Sequence, residues 1–347
     1  MSQKTNGKKE NALEWFARNW KTNPIFSTAC VLVLMIVLQT LALGFRFDSF
    51  GKWFTSWYKN WINILRNNAG VGIVALGMTF VIISGGIDLA VGSTMVAVGA
   101  VMMILINDNP TGLLTAAGVT GGWAFALGIA AALVVGALIG AINGALISYR
   151  KLPAFIATLG MMKICRSVTQ QCMQTVGVKV PKVFLLISNA KIGGEVILPI
   201  LYWLVIAVIL HIVSRRTPFG RQIYAIGSNE RTARLSGVNV ERVKAGVYVL
   251  MGLLVAVTAV IQVARIGSMD YANAGSGYEM DAIAAVVVGG TSMSGGRGSI
   301  LGTVLGMLII AVMNNLLNLL GVPPFLREAF KGFIVIAAVL LQRKESN

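Results

Sequence analysis

Apolar runs of about 20 residues follow one another along most of this chain, and about 20 helical residues is what a hydrocarbon layer about 30 Å thick requires. The runs fall at 25–44, 67–84, 88–106, 121–148, 153–176, 197–214, 244–265, 281–293, 299–320 and 326–342. Backbone inside lipid must satisfy its own N–H and C=O groups, so continuous runs of this kind can only be helices. The composition agrees: 56% of the 347 residues are hydrophobic and 12% are charged, against about 25% charged in soluble domains. A water-soluble core of this size could not hide so much apolar surface. The expected fold class is all-α, a polytopic membrane protein of about ten transmembrane helices with glycine-broken hairpins.

Charge placement sets the expected sides. The net charge of +16 could by itself point to nucleic acid, but no Lys or Arg lies between Asn67 and Tyr149. Basic residues collect instead near the N-terminus, at Arg150–Lys151, through 215–244 and at Arg343–Lys344. That is positive-inside patterning, with no nucleic-acid groove and both termini cytoplasmic. The loop 215–244 carries Arg215, Arg216, Arg221, Arg231, Arg234, Arg242 and Lys244 against two glutamates, whereas 266–281 carries Asp270, Glu279 and Asp281 and no base. The layout expected is a cytoplasmic segment 1–24, one transmembrane domain 25–342 with a cytoplasmic loop at 215–243, and a cytoplasmic tail 343–347. The run 25–44 follows basic residues as in a signal peptide, but it exceeds the usual apolar core of about 7–15 residues and reads as an uncleaved first span.

Cys30, Cys165 and Cys172 sit in apolar segments and read as free thiols, and His211 is the single histidine. No metal site, cofactor site or histidine-based catalytic centre is expected. No GxxxxGK[ST] occurs, so nothing here cradles a nucleotide phosphate. Trp53, Trp57 and Trp61 share one helical face; an amphipathic helix on the outer membrane face and an aromatic belt beside a span are both open readings.

The stretch SGGIDLAVGS (84–93) aligns without gaps on SGGRGSILGT (294–303), as an internal repeat would. Each reads as a sharp break between two helices, buried in protein or lining a cavity. Asp88 has two readings: it accepts hydrogen bonds from the free amides of the next helix, or it faces the transport path. Gly136, Gly140 and Gly144, and likewise Gly298, Gly302 and Gly306, repeat every four residues and would let helices approach closely. Lys163 and Arg166 lie mid-run, where cations are costly; they are expected to line a path or meet a carboxylate such as Asp88, unless they snorkel or pair structurally. In the loop 215–244, Ser228 is expected to cap a short helix through Arg231 to Leu235 that Gly237 ends.

Five segments, in order, carry a resemblance: ISGGIDLAVGS, GALIGAINGALISYRKLPAFIATLGMM, IGSNERTARLSGVNVERVK, GYEMDAIAAVVVGGTSMSGGRGSILGT and NNLLNLLGVPPFLREAFKGFIVIAAVLLQ. Over 63–342 the chain resembles the permease subunits of bacterial ATP-binding-cassette sugar importers, ribose/galactose-type branch. Lys163 in MMKICRS and the long N-terminal region depart from the family pattern. The resemblance implies a non-enzymatic subunit of the bacterial cytoplasmic membrane. Its partners would be separate ATPase subunits, an extracytoplasmic substrate-binding protein, a second permease copy or a homologous permease, and membrane lipid. It implies a coupling helix at 228–240, with Asn229, Ala233, Leu235, Ser236 and Gly237 as the ATPase contact and Glu230, Arg231 and Arg234 as its rim. Candidate path residues are Asp88, Thr79, Ser93, Asn143, Thr158, Lys163, Arg166, Gln170 and Asn314, and residues 270–281 would receive the binding protein. The cargo could be a monosaccharide, a nucleoside or a signalling sugar. The rival class is an ion-coupled secondary transporter using Asp88; a membrane enzyme or channel has no acid, base, metal or filter set to support it.

Overall fold

The structure is a computed structural model describing residues 12–44, 49–110, 112–174 and 177–345. Lys4, Lys8 and Lys9 of the expected cytoplasmic segment lie outside the described residues, as do 45–48, 175–176 and 346–347. Fifteen helices follow in order: α1 (Ala12–Thr22), α2 (Pro24–Leu43), α3 (Phe50–Ile83), α4 (Val91–Leu105), α5 (Leu113–Ala116), α6 (Gly121–Ser148), α7 (Ala154–Met173), α8 (Leu186–Asn189), α9 (Leu198–Arg216), α10 (Pro218–Ser228), α11 (Glu230–Leu235), α12 (Val240–Ile266), α13 (Tyr278–Val288), α14 (Ile300–Leu319) and α15 (Pro324–Glu345). Among the described residues the only extended pairing is one bridge, Ile192 to Glu195.

The helices begin where polar side chains can serve orphan amides. Asn23 accepts from the Ile25 and Phe26 amides with Pro24 in the first turn of α2, and Asn239 and Ser299 cap α12 and α14 in the same manner. Gly267, at φ +77°, ends α12 in the left-handed region.

Each of the ten expected spans has a helix, but six (α2, α3, α6, α9, α12 and α14) are long and apolar enough to cross a membrane by length and composition. Helix α4 has 15 residues and α13 has 11, about 22 and 16 Å, short of a full crossing. The 20-residue α7 and the 22-residue α15 have the length, but both interrupt their apolar sequence with charged side chains.

The tryptophan face does not form a separate helix on the membrane face. Residues 50–83 form one continuous helix, α3, and its tryptophans close on α2: Trp53 Nε1 donates to the Gly44 carbonyl at 3.0 Å and Trp57 Nε1 to Thr40 Oγ1 at 3.2 Å. Trp61 joins the cluster of Leu32, Ile309 and Val312 between α2 and α14. The indole ring pairs an apolar body with one donor, and here α2 serves both.

Helix α12 is the axis of the bundle. The first glycine ladder works as expected: a Cβ on Gly136, Gly140 or Gly144 of α6 would strike the α12 backbone at Gly252, Tyr248 or Ala245. The second ladder is shorter than expected, because Gly298 precedes α14; Gly302 and Gly306 alone pack, against Gly289 and Ala285 of the α13 end. Helix α3 crosses from Tyr248, whose hydroxyl donates to the Ile87 carbonyl, to Thr258, whose hydroxyl donates to the Gly70 carbonyl. At the far end Asn189 Nδ2 donates to the Ala264 and Arg265 carbonyls, serving the free C-terminus of α12.

The two helix breaks lie together at one end of the bundle, the end carrying Lys151, Arg215 and Arg216, here called the basic end. Backbone hydrogen bonds show a repeat that the gapless alignment misplaces. Gly85 N and Gly86 N return to Ile82 O and Val81 O, and Gly290 N and Thr291 N return to Val287 O and Val286 O in the same pattern. Gly85 and Gly290 have φ +79° and +85°. The helix ends therefore match as 84–86 on 289–291, and the second hairpin takes more residues to reach its next helix. Hydropathy and glycine content do not resolve such an offset.

Candidate functional site

At the basic end, α10 and α11 hang between α9 and α12. Thr217 opens α10, its hydroxyl accepting from Gly220 N at 3.2 Å with Pro218 in the first turn. Asn229, not Ser228, starts α11: its Oδ1 accepts from Thr232 N at 2.9 Å, and Ser228 is the last residue of α10. Gly237, at φ +83°, ends the unit as expected. Sequence reading missed α10, because its glycines and arginine look like loop.

Ala233 is buried against the body, while Leu235 is 82% exposed. Leu235 therefore projects away from the bundle on a helix otherwise lined with charge. Arg234 makes a two-pronged pair with Glu241 (2.7 and 3.1 Å) and reaches Glu230 at 3.4 Å. Lys151 meets Glu241 at 2.8 Å, and Lys244 meets Glu230 at 2.6 Å. The network ties α11 to the α6–α7 turn and to the start of α12. Lys151 holds its place from a left-handed backbone, φ +59°, uncommon for a side-chain-bearing residue. The Lys244 hydrogen bond draws the Glu230 carboxylate below its ordinary range, ahead of the smaller contribution of Arg234. A lowered carboxylate pKa stabilises above the unfolded value of about 4.3 and loses that contribution as pH falls, so the brace is whole at neutral pH. Solvent screening keeps each such pair small.

Above this network lies a cavity of about 210 Å³ lined by Ser84, Gly85, Gly86, Lys151, Glu230, Glu241, Lys244 and Tyr248. Gly227 of α10 touches both breaks: a Cβ there would fall on Ile83 O and Gly296 N. Those two atoms are themselves bonded, Gly296 N to Ile83 O at 2.9 Å. One glycine thus sits beneath the point where the two broken hairpins meet.

A second polar region lies deep in the bundle. After Gly267 the chain does not stay at the far end. Met269 packs against the Gly99 position, and Gly275 against Gly92 and Met95. The segment 267–277 therefore runs back along α4 past about seven residues, about 10 Å, before α13 begins. Arg166 of α7 pins it, with Nη1 donating to the Ala274 carbonyl at 2.9 Å and the Tyr271 carbonyl at 3.3 Å. Asp270 stabilises its turn by accepting from Ala272 N, Asn273 N and Asn273 Nδ2. Sequence reading took all of 266–281 as outer loop, since a polar segment dipping between helices has the composition of one outside.

The candidate path residues do not share one surface. Lys163, Arg166 and Gln170 lie along α7, with Lys163 exposed and the other two half-buried. The expected pairing of these cations with Asp88 is corrected: Arg166 goes to the re-entrant carbonyls, and Lys163 meets no carboxylate among the described residues. Asp88 is buried, its Oδ1 accepting from Ala90 N at 2.9 Å. That is the amide-serving role, made to one amide just before α4 and not to the free amides of its first turn. Ser93 is buried in the first turn of α4. Thr79 and Thr303 join α3 to α14 through hydroxyls 2.6 Å apart. Thr158 is buried and bonds back to the Ala154 carbonyl at 2.8 Å. Asn143, in α6, is buried with Oδ1 unpartnered among the described residues, and so is Oδ1 of half-buried Asn314 on α14. Two pairings went unseen in sequence: the reciprocal amides of Asn60 and Asn315, 3.1 and 3.2 Å apart, and the Lys331–Asp281 ion pair at 2.9 Å.

Residues 60–339 match the family described as branched-chain amino acid transport system / permease component. The ribose import permease protein RbsC of Escherichia coli (strain K12) is 40% identical over 327 residues, 92% of this chain and 93% of that protein. RbsC of Bacillus subtilis (strain 168) is 42% identical over 83% of this chain and 85% of its own length. The xylose transport system permease protein XylH of Escherichia coli (strain K12) is 33% identical, covering 89% and 90%. No solved structure matches the chain. With its apolar helices and a family match over most of its length, this chain belongs to that permease family and is a multi-pass protein of the bacterial inner membrane.

Proposed function

We propose that this chain is the membrane subunit of an ATP-binding-cassette importer that moves a monosaccharide of the ribose or xylose kind inward, driven by separate ATPase subunits. The relatives named above support the solute class and the machinery. The observation that carries the mechanism is α11, held out at the basic end with Leu235 exposed while Gly227, one helix earlier, abuts both hairpin breaks. The basic end is cytoplasmic by the charge rule, which sets both termini on that side. Asn229, Leu235, Ser236 and Gly237 meet the ATPase, with Glu230, Arg231 and Arg234 around them; Ala233 anchors the helix from behind. An extracytoplasmic binding protein delivers the sugar at the other end.

Movement of α11 and α10 bears on the Ile83–Gly296 contact and so on α3/α4 and α13/α14 together. Energy enters because the ATPase grips α11 differently in its two states. Lys163, Arg166 and Gln170 line the sugar's route, which Asp88, Ser93 and Asn143 approach from the hairpin side. Thr79 serves helix packing through Thr303, and Thr158 and Asn314 stay among the residues proposed for the route.

Leu235→Asp is expected to lower ATP-dependent uptake of radiolabelled ribose or xylose by more than tenfold in vesicles containing the complete transporter, with membrane insertion unchanged. An aspartate in a desolvated contact leaves a buried unpaired charge, so the loss lies in coupling. Uptake that persists in this variant, driven by an ion gradient without ATP, would hand the function to the secondary-transporter reading.

A further inference from the structure

We propose that the groove between α3, α9 and α14 holds one anionic phospholipid of the leaflet at the basic end, with an acyl chain along the groove, the phosphate at Arg215 and Arg297, and the ester oxygens at His211. The site needs only the bilayer and goes beyond the importer reading. Leu65 of α3, Ala207, Val208 and Ile212 of α9, and Val304 and Leu308 of α14 line the groove, whose volume is about 370 Å³. Trp203 closes it on the α3 side, its ring filling the space that a Cβ on Gly72 would take.

The dimensions select the occupant. The lining runs along α9 from Ile200 to Ile212, about 18 Å of helix, against about 15 Å for half of a hydrocarbon core about 30 Å thick. Spread over that length, about 370 Å³ makes a channel about 20 Å² in section, the width of one extended alkyl chain. A helix is about 10–12 Å across and over the same length would need about four times the volume, so a partner helix does not enter.

The charges select the head. His211 lines the groove with its Nδ1 buried and without a partner among the described residues. Arg215, in the last turn of α9, continues the same stripe four residues on. Four residues rise about 6 Å, and the polar layer outside the hydrocarbon core is about 5–8 Å thick on each side. His211 therefore sits at ester depth when Arg215 is level with the phosphate. Arg297 lies three residues before Ile300 of the groove wall. Tyr224 brings the two arginines to one place: its hydroxyl donates to the Gly298 carbonyl at 2.9 Å, and the Arg215 charge close by works against the burial that pushes its phenol up. Both arginines are exposed, and neither side chain makes a hydrogen bond or ion pair among the described residues. The charge rule accounts for arginines at this end, and not for an apolar groove that runs into them past a histidine. Basic side chains beside the surface attract a net negative head, which a zwitterionic lipid lacks.

The test uses the complete transporter in phosphatidylcholine vesicles that carry a trace of phosphatidylglycerol with a photoreactive group midway along one acyl chain. After illumination, peptide mass spectrometry is expected to place most of the label on 198–216 and 300–308, and unlabelled phosphatidylglycerol to displace it at least tenfold better than unlabelled phosphatidylcholine. Val208 and Ile209 are both exposed on α9, and only Val208 lines the groove. Val208→Trp should therefore cut the labelling at least fivefold, and Ile209→Trp should leave it unchanged. Arg215→Gln combined with Arg297→Gln should abolish the preference between the two lipids with the chain still in the membrane. Label spread evenly over the outward helices, equal displacement by the two lipids, wild-type labelling of Val208→Trp, or a preference that survives the loss of both arginines would each overturn the site. So would a protein cross-linked to 198–216 in place of lipid.

Discussion

Gly227→Ala is expected to reduce ATP-dependent sugar uptake at least tenfold while leaving the protein in the membrane. The added methyl would occupy the space of Ile83 O and Gly296 N, both backbone atoms fixed by the hydrogen bond between them. A flexible side chain could swing away; a peptide carbonyl at a helix terminus cannot without moving the helix. Overpacking of this sort costs about 1–3 kcal/mol, and about 1.4 kcal/mol is a factor of ten in an equilibrium. That penalty falls on the contact through which α10 reaches both hairpins, so it biases the conformational cycle. The measurement is the initial uptake rate per inserted protein, with ATP hydrolysis followed in parallel. Gly122→Ala is the control, since a Cβ there meets nothing within 4 Å. Wild-type uptake in Gly227→Ala would remove α10 from the transmission.

Neutralising one member of the Lys331–Asp281 pair should be the most destabilising single change among the charged residues. The side chains are 12% and 16% exposed and join α15 to α13, with Glu328 bonding the same ammonium at 2.9 Å. Lys331→Met strands a carboxylate in a low-dielectric setting, and breaking such a pair typically costs about 3–5 kcal/mol. Replacing both residues by apolar ones of similar size removes the stranded charge, and this often restores stability or improves it. Thermal unfolding of the purified protein in detergent should therefore rank wild type and Lys331→Met/Asp281→Leu together, well above Lys331→Met alone. A single variant as stable as wild type would show that the pair carries no weight.

These two positions mark where sequence reading stops. Hydropathy placed the helices well because lipid imposes one rule on every residue it touches. The first hairpin break was visible at Gly85–Gly86, since adjacent glycines inside an apolar run have few other uses. Gly227 was not, because what forbids a side chain there is a carbonyl more than a hundred residues away in sequence. The Lys331–Asp281 pair was hidden for the same reason. The tryptophan face had the correct period and the wrong neighbour: periodicity tells which side of α3 is covered and is silent about by what. The re-entrant segment failed in the opposite sense. Its polarity was read correctly, but polarity alone cannot separate water outside a membrane from protein inside one. Of the candidate site, the short helix that Gly237 ends was legible in sequence, whereas its cap at Asn229, Leu235 outward and Ala233 inward needed coordinates.

The short α13 depends on a longer neighbour. Its 11 residues begin at Tyr278, beyond a loop that already lies deep beside α4. It does not carry that depth alone: Ala282 to Val287 are buried in the bundle, where Gly302 and Gly306 of the longer α14 close on its C-terminal end. A helix too short to span by itself thus keeps its place through the backbone of one that is long enough.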